Sequence, residues 1–142
     1  MLSAGEEGIH IGKYVHIAIY SSLIGQKKIL LEDFAGLSSR VSIYSSSDDY
    51  SGNSLTNPTV PNEYKNVIHG SVILKRHVII GAGSIILPNV TIGLGAAIGA
   101  LSLVNKDCDE FSIYSGVPAQ YIKARSRKIL ELEVKFLNSL KE

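Results

Sequence analysis

Apolar positions in this chain recur every sixth residue. From Leu74 onward the aliphatic places are Leu74, Ile80, Ile86, Ile92, Ile98 and Val104. Four residues after each stands a small or β-branched one: Val78, Ser84, Val90, Ala96, Ser102 and Cys108. A helix would repeat its apolar residues at three and four, and a half-buried strand at two. A period of six predicts a coil with three short sides, each side a brief strand and each corner a sharp turn. Both recurring places point into a narrow prism, where a large residue in the second of them would overfill the interior. Three hexads close a coil, and coils stack at the ordinary strand spacing of roughly 4.8 Å. Corners of this kind are expected to hold Gly or Asn, which tolerate positive φ. No unit buries its own apolar face, so each must stack on its neighbours.

The pattern begins near Ile9, with Ile11 and Val15, then Ile17 and Ser21. It slips by two at Gly25–Lys28, which predicts a bulged corner. It resumes at Leu31, Leu37 and Ile43, with Ala35, Val41 and Ser47 in the small places. Residues 45–71 then break it with a polar, irregular stretch. An interruption that long in a compact domain predicts a loop that carries function. Residues 126–142 read as a helix with Ile129, Leu130, Val134, Phe136, Leu137 and Leu140 on a broad apolar face and Glu131, Glu133, Lys135 and Lys141 elsewhere. So short a helix needs a surface, either the last coil or another subunit. The division expected is an all-β domain over 1–125, with the loop 45–71 inserted, and a C-terminal helix over 126–142.

Composition narrows the classes. Apolar residues make up 45% and charged ones 19%, which argues against disorder. A net charge of +1 leaves no footprint for nucleic acid. No apolar run approaches a membrane span, and the first residues lack a signal-peptide pattern. Cys108 is alone, so no internal disulfide forms. A cytoplasmic protein is expected.

With these hexads and the ending Gly116-Val-Pro-Ala-Gln-Tyr-Ile-Lys-Ala-Arg125, the chain resembles the hexapeptide-repeat acyltransferases. The likeness runs from Ile9 to about Arg125. It is nearest to the maltose and galactoside O-acetyltransferase branch and its relatives in polysaccharide biosynthesis. The resemblance implies a left-handed parallel β-helix, a homotrimer, and acetyl-CoA as co-substrate with no metal. It implies acetyl transfer to a sugar hydroxyl in surface polysaccharide or lipopolysaccharide biosynthesis. An alternative is N-acetylation of a nucleotide-linked amino sugar, because an amine asks less of a base. A metal hydratase would need three histidine ligands, and the His spacings offer no convincing set. A non-catalytic assembly subunit is the remaining alternative.

In that branch a strand ending Val-Thr-Ile-Tyr leads to a catalytic His. Here Val41-Ser42-Ile43-Tyr44 leads to Asp48 at the matching position. Acyl transfer to a hydroxyl needs a group to take the proton. A free Asp, with pKa about 3.9, serves only if burial or a second carboxylate raises it. Asp49 is the neighbour in sequence. Alternatively both carboxylates hold sugar hydroxyls. The run Asp48-Asp49-Tyr50-Ser-Gly is similar to the loop of polysaccharide-biosynthesis members, which makes Asp49, Tyr50 and Asn53 candidate substrate-binding residues. His69, at the loop's end, is the second catalytic candidate. His77 occupies a corner and reads as a surface residue. His10 and His16 fall on different sides of the prism. For acetyl-CoA the resemblance points to Ala82, Ala100, Asn105, Lys106 and Lys123.

Overall fold

The computed structural model describes residues 1–141. Glu142, the last residue of the segment 126–142, lies outside the described residues. Strands β1 (Leu2–Ala4), β2 (Ile9–Ile11) and β3 (His16–Ile17) form a first coil. The second is β4 (Ser22–Gly25), β5 (Ile29–Leu31) and β6 (Gly36–Leu37). The third opens with β7 (Ser42–Tyr44). A loop containing β8 (Ser46–Ser47) and β9 (Ile68–His69) interrupts it before β10 (Val72–Leu74) and β11 (Ile79–Ile80). The fourth is β12 (Ile85–Ile86), β13 (Thr91–Ile92) and β14 (Ala97–Ile98). The last runs through β15 (Leu103–Val104), a bridge from Cys108 to Ile92, and β16 (Ser112–Gly116). From there β17 (Ala119–Ala124) returns antiparallel and leads to helix α1 (Lys128–Ser139).

Parallel stacking gives three sheets, the sides of a left-handed β-helix: β1-β4-β7-β12-β15, β2-β5-β10-β13, and β3-β6-β11-β14-β16-β17. Register exposes the length of each coil. Ile80 faces Ile98 and Ile86 faces Val104, eighteen residues on. Leu23 faces Ile43 and Leu31 faces Ile11, at twenty. The two extra residues sit in the corner at Gly25–Lys28, as the slip in the sequence predicts. The prism is filled as expected: Leu74, Ile80, Ile86 and Ile92 are fully buried, and Val78, Ser84, Val90, Ala96, Ser102 and Cys108 are buried beside them. Burial, with Asp107 and Asp109 nearby, pushes the Cys108 thiol up to about 12, consistent with a packing residue. Ser47 departs from the pattern. The chain turns out of the coil at Ser45, which is buried in its place, and Ser47 is half-buried on the loop's stem.

Some corners hold the expected Gly and Asn at positive φ, as at Gly83, Asn89 and Gly95, and others do not. Tyr14, Phe34 and His77 adopt φ of 57°, 64° and 62° at successive levels of one corner. Such a conformation costs an L residue roughly 1–2 kcal/mol. Here the rings stack, Tyr14 on Phe34 at 5.0 Å and Phe34 on His77 at 4.8 Å, and aromatic pairs return about 0.5–1.5 kcal/mol each beyond the area they bury. Arg40 lies over Tyr20 at the next corner, both again at positive φ.

That aromatic column is where α1 docks. Phe136 meets Tyr14 edge-on at 5.1 Å and Phe34 at 6.1 Å. Glu133 bonds Arg76 and, at 2.8 Å, His77 Nε2. Two expectations are thereby corrected. His77 is no surface residue, since its side chain is 10% exposed between Phe34 and Glu133. Glu133 belongs to the docked face, and the helix lies along the flank of the first three coils instead of capping the last. Arg125 fixes the approach by donating to the carbonyls of His77 and Gly95, 2.9 Å each. Leu132, Val134, Leu137 and Leu140 remain exposed.

Candidate active site

The loop leaves and re-enters the β-helix as a two-stranded stem. β8 pairs antiparallel with β9, Ser46 opposite His69 and Ser47 opposite Ile68. Gly70 N–H donates to Ser45 C=O at 3.0 Å and closes the neck. The stem rests directly on the second coil at Gly25, whose φ is +145°. A Cβ there would lie 2.1 Å from Ser45 Oγ and 2.8 Å from Ser46 N, so only glycine lets the two backbones meet.

This contact orders His69. Gln26 N–H donates to Ser46 Oγ at 2.9 Å, and the same oxygen lies 2.7 Å from His69 Nδ1. A main-chain group of the second coil thus holds a hydroxyl, which holds an exposed imidazole. Ser46, Asn62, Lys65, Gln26, Ser3 and His69 line a hollow of about 670 Å³ on one side of the stem.

Asp48 lies on the other side. It is half-buried, and its carboxylate accepts Asn57 N–H at 3.4 Å. With Tyr44, Ser46, Tyr50, Ile85 and Leu103 it lines a groove of about 530 Å³ along the first sheet. Ser46 is common to both hollows. Asp49 is engaged elsewhere. Its carboxylate accepts Ser51 N–H and Ser51 Oγ–H, 2.9 Å each, which holds its pKa below the usual value. Asp49 is thus folded back on its own turn, and the two carboxylates engage different stretches of the loop. Tyr50 is 90% exposed at the rim of the Asp48 groove. Asn53 opens on a separate hollow with Glu63, Tyr64 and Lys65.

The residues expected to hold acetyl-CoA fall in three places. Ala82 and Ala100 stack at the corner between the third and first sheets, where Leu101 N–H donates to Ala82 C=O at 2.9 Å. Gly81 lets these levels close, since a Cβ would sit 2.4 Å from Ala100 N. Asn105 and Lys106 occupy the opposite edge of the first sheet, after β15 and below the loop. Lys123 is on β17, opposite Ile113. Among the described residues no group of His, Cys, Asp and Glu is arranged to hold a metal ion, and no helix is long and apolar enough to cross a membrane. Sequence reasoning missed Ser46, Gln26, Asn62 and Lys65. A signal for Ser46 existed only in the pairing of the loop's two ends, which the run Ser45-Ser46-Ser47 conceals.

No family model matches the chain. Over 136 residues it is 56% identical to the dTDP-4-amino-4,6-dideoxy-D-glucose acyltransferase of Escherichia coli, spanning 96% of this chain and 71% of that protein. Its structure superposes, with a TM-score of 0.95, on AntD, an N-acyltransferase from Bacillus cereus solved with dTDP and 3-hydroxybutyryl-CoA. Identity there is 54%, covering 99% of this chain and 74% of that one. A more distant relative is the putative lipopolysaccharide biosynthesis O-acetyl transferase WbbJ of Escherichia coli K12, 28% identical over 82% of this chain and 58% of that protein.

Proposed function

Because the chain belongs to the hexapeptide-repeat acyltransferase family, we propose that it moves an acyl group from an acyl-coenzyme A to the amine of a dTDP-linked 4-amino sugar. One observation carries this reading: identity of 54–56% over nearly the whole chain to two proteins described by that chemistry. It prefers the amine over the sugar hydroxyl that the resemblance to the O-acetyltransferase branch first suggested. The likeness to WbbJ, lower and over less of both chains, supports the hydroxyl reading less well.

The reaction sets clear demands. The amine nitrogen attacks the thioester carbonyl, a C–N bond forms, and the C–S bond breaks. The nitrogen must shed a proton, and the departing sulfur must gain one. Asp48 and His69 flank Ser46 from its two sides, so either can take the proton from an acceptor placed against Ser46. Ala82, Ala100, Asn105, Lys106 and Lys123 are the residues proposed for the coenzyme. Their spread over two corners and a strand suits a long, extended ligand. The assembly proposed is a homotrimer, supported by Tyr20, Leu101, Ile79 and Ile85, which leave an apolar surface on one corner and its two flanks.

Thiol release from acetyl-CoA and 3-hydroxybutyryl-CoA tests the acceptor. It is expected with dTDP-4-amino-4,6-dideoxyglucose and not with maltose, galactosides or the 4-hydroxy nucleotide sugar. Turnover with the hydroxyl acceptors alone would overturn the reading. In sedimentation equilibrium the same preparation should run as three chains, and a fully active monomer would refute the trimer.

A further inference from the structure

The hollow at His69 has a chemistry of its own. Its lining presents the Lys65 ammonium, the His69 imidazole, the Asn62 and Gln26 amides and the Ser3 and Ser46 hydroxyls, with no carboxylate. Four other hollows on the described surface each carry at least one: Glu63 in one, Glu32 in two, and Asp48 in the groove across the stem. Lys65 is half-buried and, among the described residues, has no carboxylate within ion-pair distance. Lys65 also borders the neighbouring hollow of Asn53 and Glu63, but on the His69 side it stands among donors with no acid, and a partly sheltered cation so placed favours an anion.

From this placement we infer that the hollow is the diphosphate subsite, with Lys65 the principal phosphate contact and Asn62 and Gln26 supplying amide donors. This rests on the nucleotide-sugar reading. The hollow and the Asp48 groove share Ser46. A diphosphate beside Lys65 therefore sends the attached sugar toward Ser46 and Asp48, into the groove where Tyr44, Ile85 and Leu103 offer the acyl donor a surface beside it. The loop then does more than supply a base, because its far segment, Asn62 to Lys65, sets which end of the acceptor goes where. Coenzyme A also carries a diphosphate, so the test must separate the two ligands.

Calorimetric titration of the whole protein with dTDP, thymidine and coenzyme A does this, in wild type, Lys65→Met and Lys65→Arg. Lys65→Met should weaken dTDP at least tenfold and leave thymidine and coenzyme A unchanged, with Lys65→Arg restoring most of the loss. Unchanged melting temperatures will show that the variants fold, and Lys65→Gln serves if Lys65→Met does not. Equal dTDP affinity in wild type and Lys65→Met overturns the subsite and leaves the function standing. Weakened coenzyme A with intact dTDP assigns the hollow to the donor and overturns it as well. Failure of the wild type to bind dTDP at all removes the nucleotide-sugar reading together with the subsite.

Discussion

Ile92→Asp is expected to leave no cooperatively folded protein. Ile92 is completely buried, paired in register with Leu74 on one side and bridged to Cys108 on the other. Its neighbours in the prism are aliphatic or small, so a carboxylate there finds neither a donor nor a cation. Burying an unpaired charge costs several kcal/mol even after relaxation, and the lost aliphatic contacts add roughly 2–3 kcal/mol. A domain of this kind holds about 5–15 kcal/mol in all. Ile92→Val, which removes one methylene, should cost only about 0.5–1.5 kcal/mol. Circular dichroism melts separate the two variants. An unchanged transition in Ile92→Asp would show that the prism is not packed as described.

The second large effect is catalytic. If Asp48 takes the proton, Asp48→Asn should lower kcat by about 10²-fold or more, since general base catalysis typically contributes 10²–10⁴. The Kd for coenzyme A should barely change, because removing an interaction made only during reaction leaves ground-state binding intact. If Asp48 only holds the sugar, the same change raises KM for the acceptor and spares kcat. His69→Ala completes the comparison. A large fall in kcat there, with Asp48→Asn nearly silent, moves the proton to the imidazole that Ser46 holds at 2.7 Å. Ser46→Ala should then mimic part of that loss by releasing the ring. A double variant of Asp48 and His69 with full turnover would remove the loop from the chemistry.

The β-helix was legible because each inward place meets the same surroundings on every coil. Ile80, Ile86 and Ile92 answer one steric demand, and a repeated demand leaves a repeated residue. The two-residue slip at Gly25–Lys28 was legible for the same reason, since it shifts every later place alike. What sequence hid are contacts with no period. The column of Tyr14, Phe34 and His77 forms only when the coils align, and its members stand twenty and then forty-three residues apart. Left-handed backbone at an aromatic residue looks unfavourable until its stacking partner is known. Glu133 reads as solvated on a helical wheel because Arg76 and His77 are more than fifty residues away. In the loop, Asp48 could be picked out by its match to a family position. Lys65 could not, since nothing local distinguishes a lysine that faces a hollow from one that faces water.

The interrupted corner has a consequence for chain entropy. Leu74 follows Ile43 by thirty-one residues where Ile92 follows Ile86 by six, yet β7 still pairs with β12 and β5 with β10 without loss of register. Closing a flexible segment grows only logarithmically with its length, so pairing across forty-three residues instead of eighteen costs about 0.8 kcal/mol more. One well-packed isoleucine outweighs that. The solenoid therefore barely senses how long its loop is. Length and sequence between Ser45 and Ser71 can drift, lengthen or be exchanged while the coils stay in step. A scaffold of this kind can take up new acceptors through one segment and keep the remainder of the chain as it is.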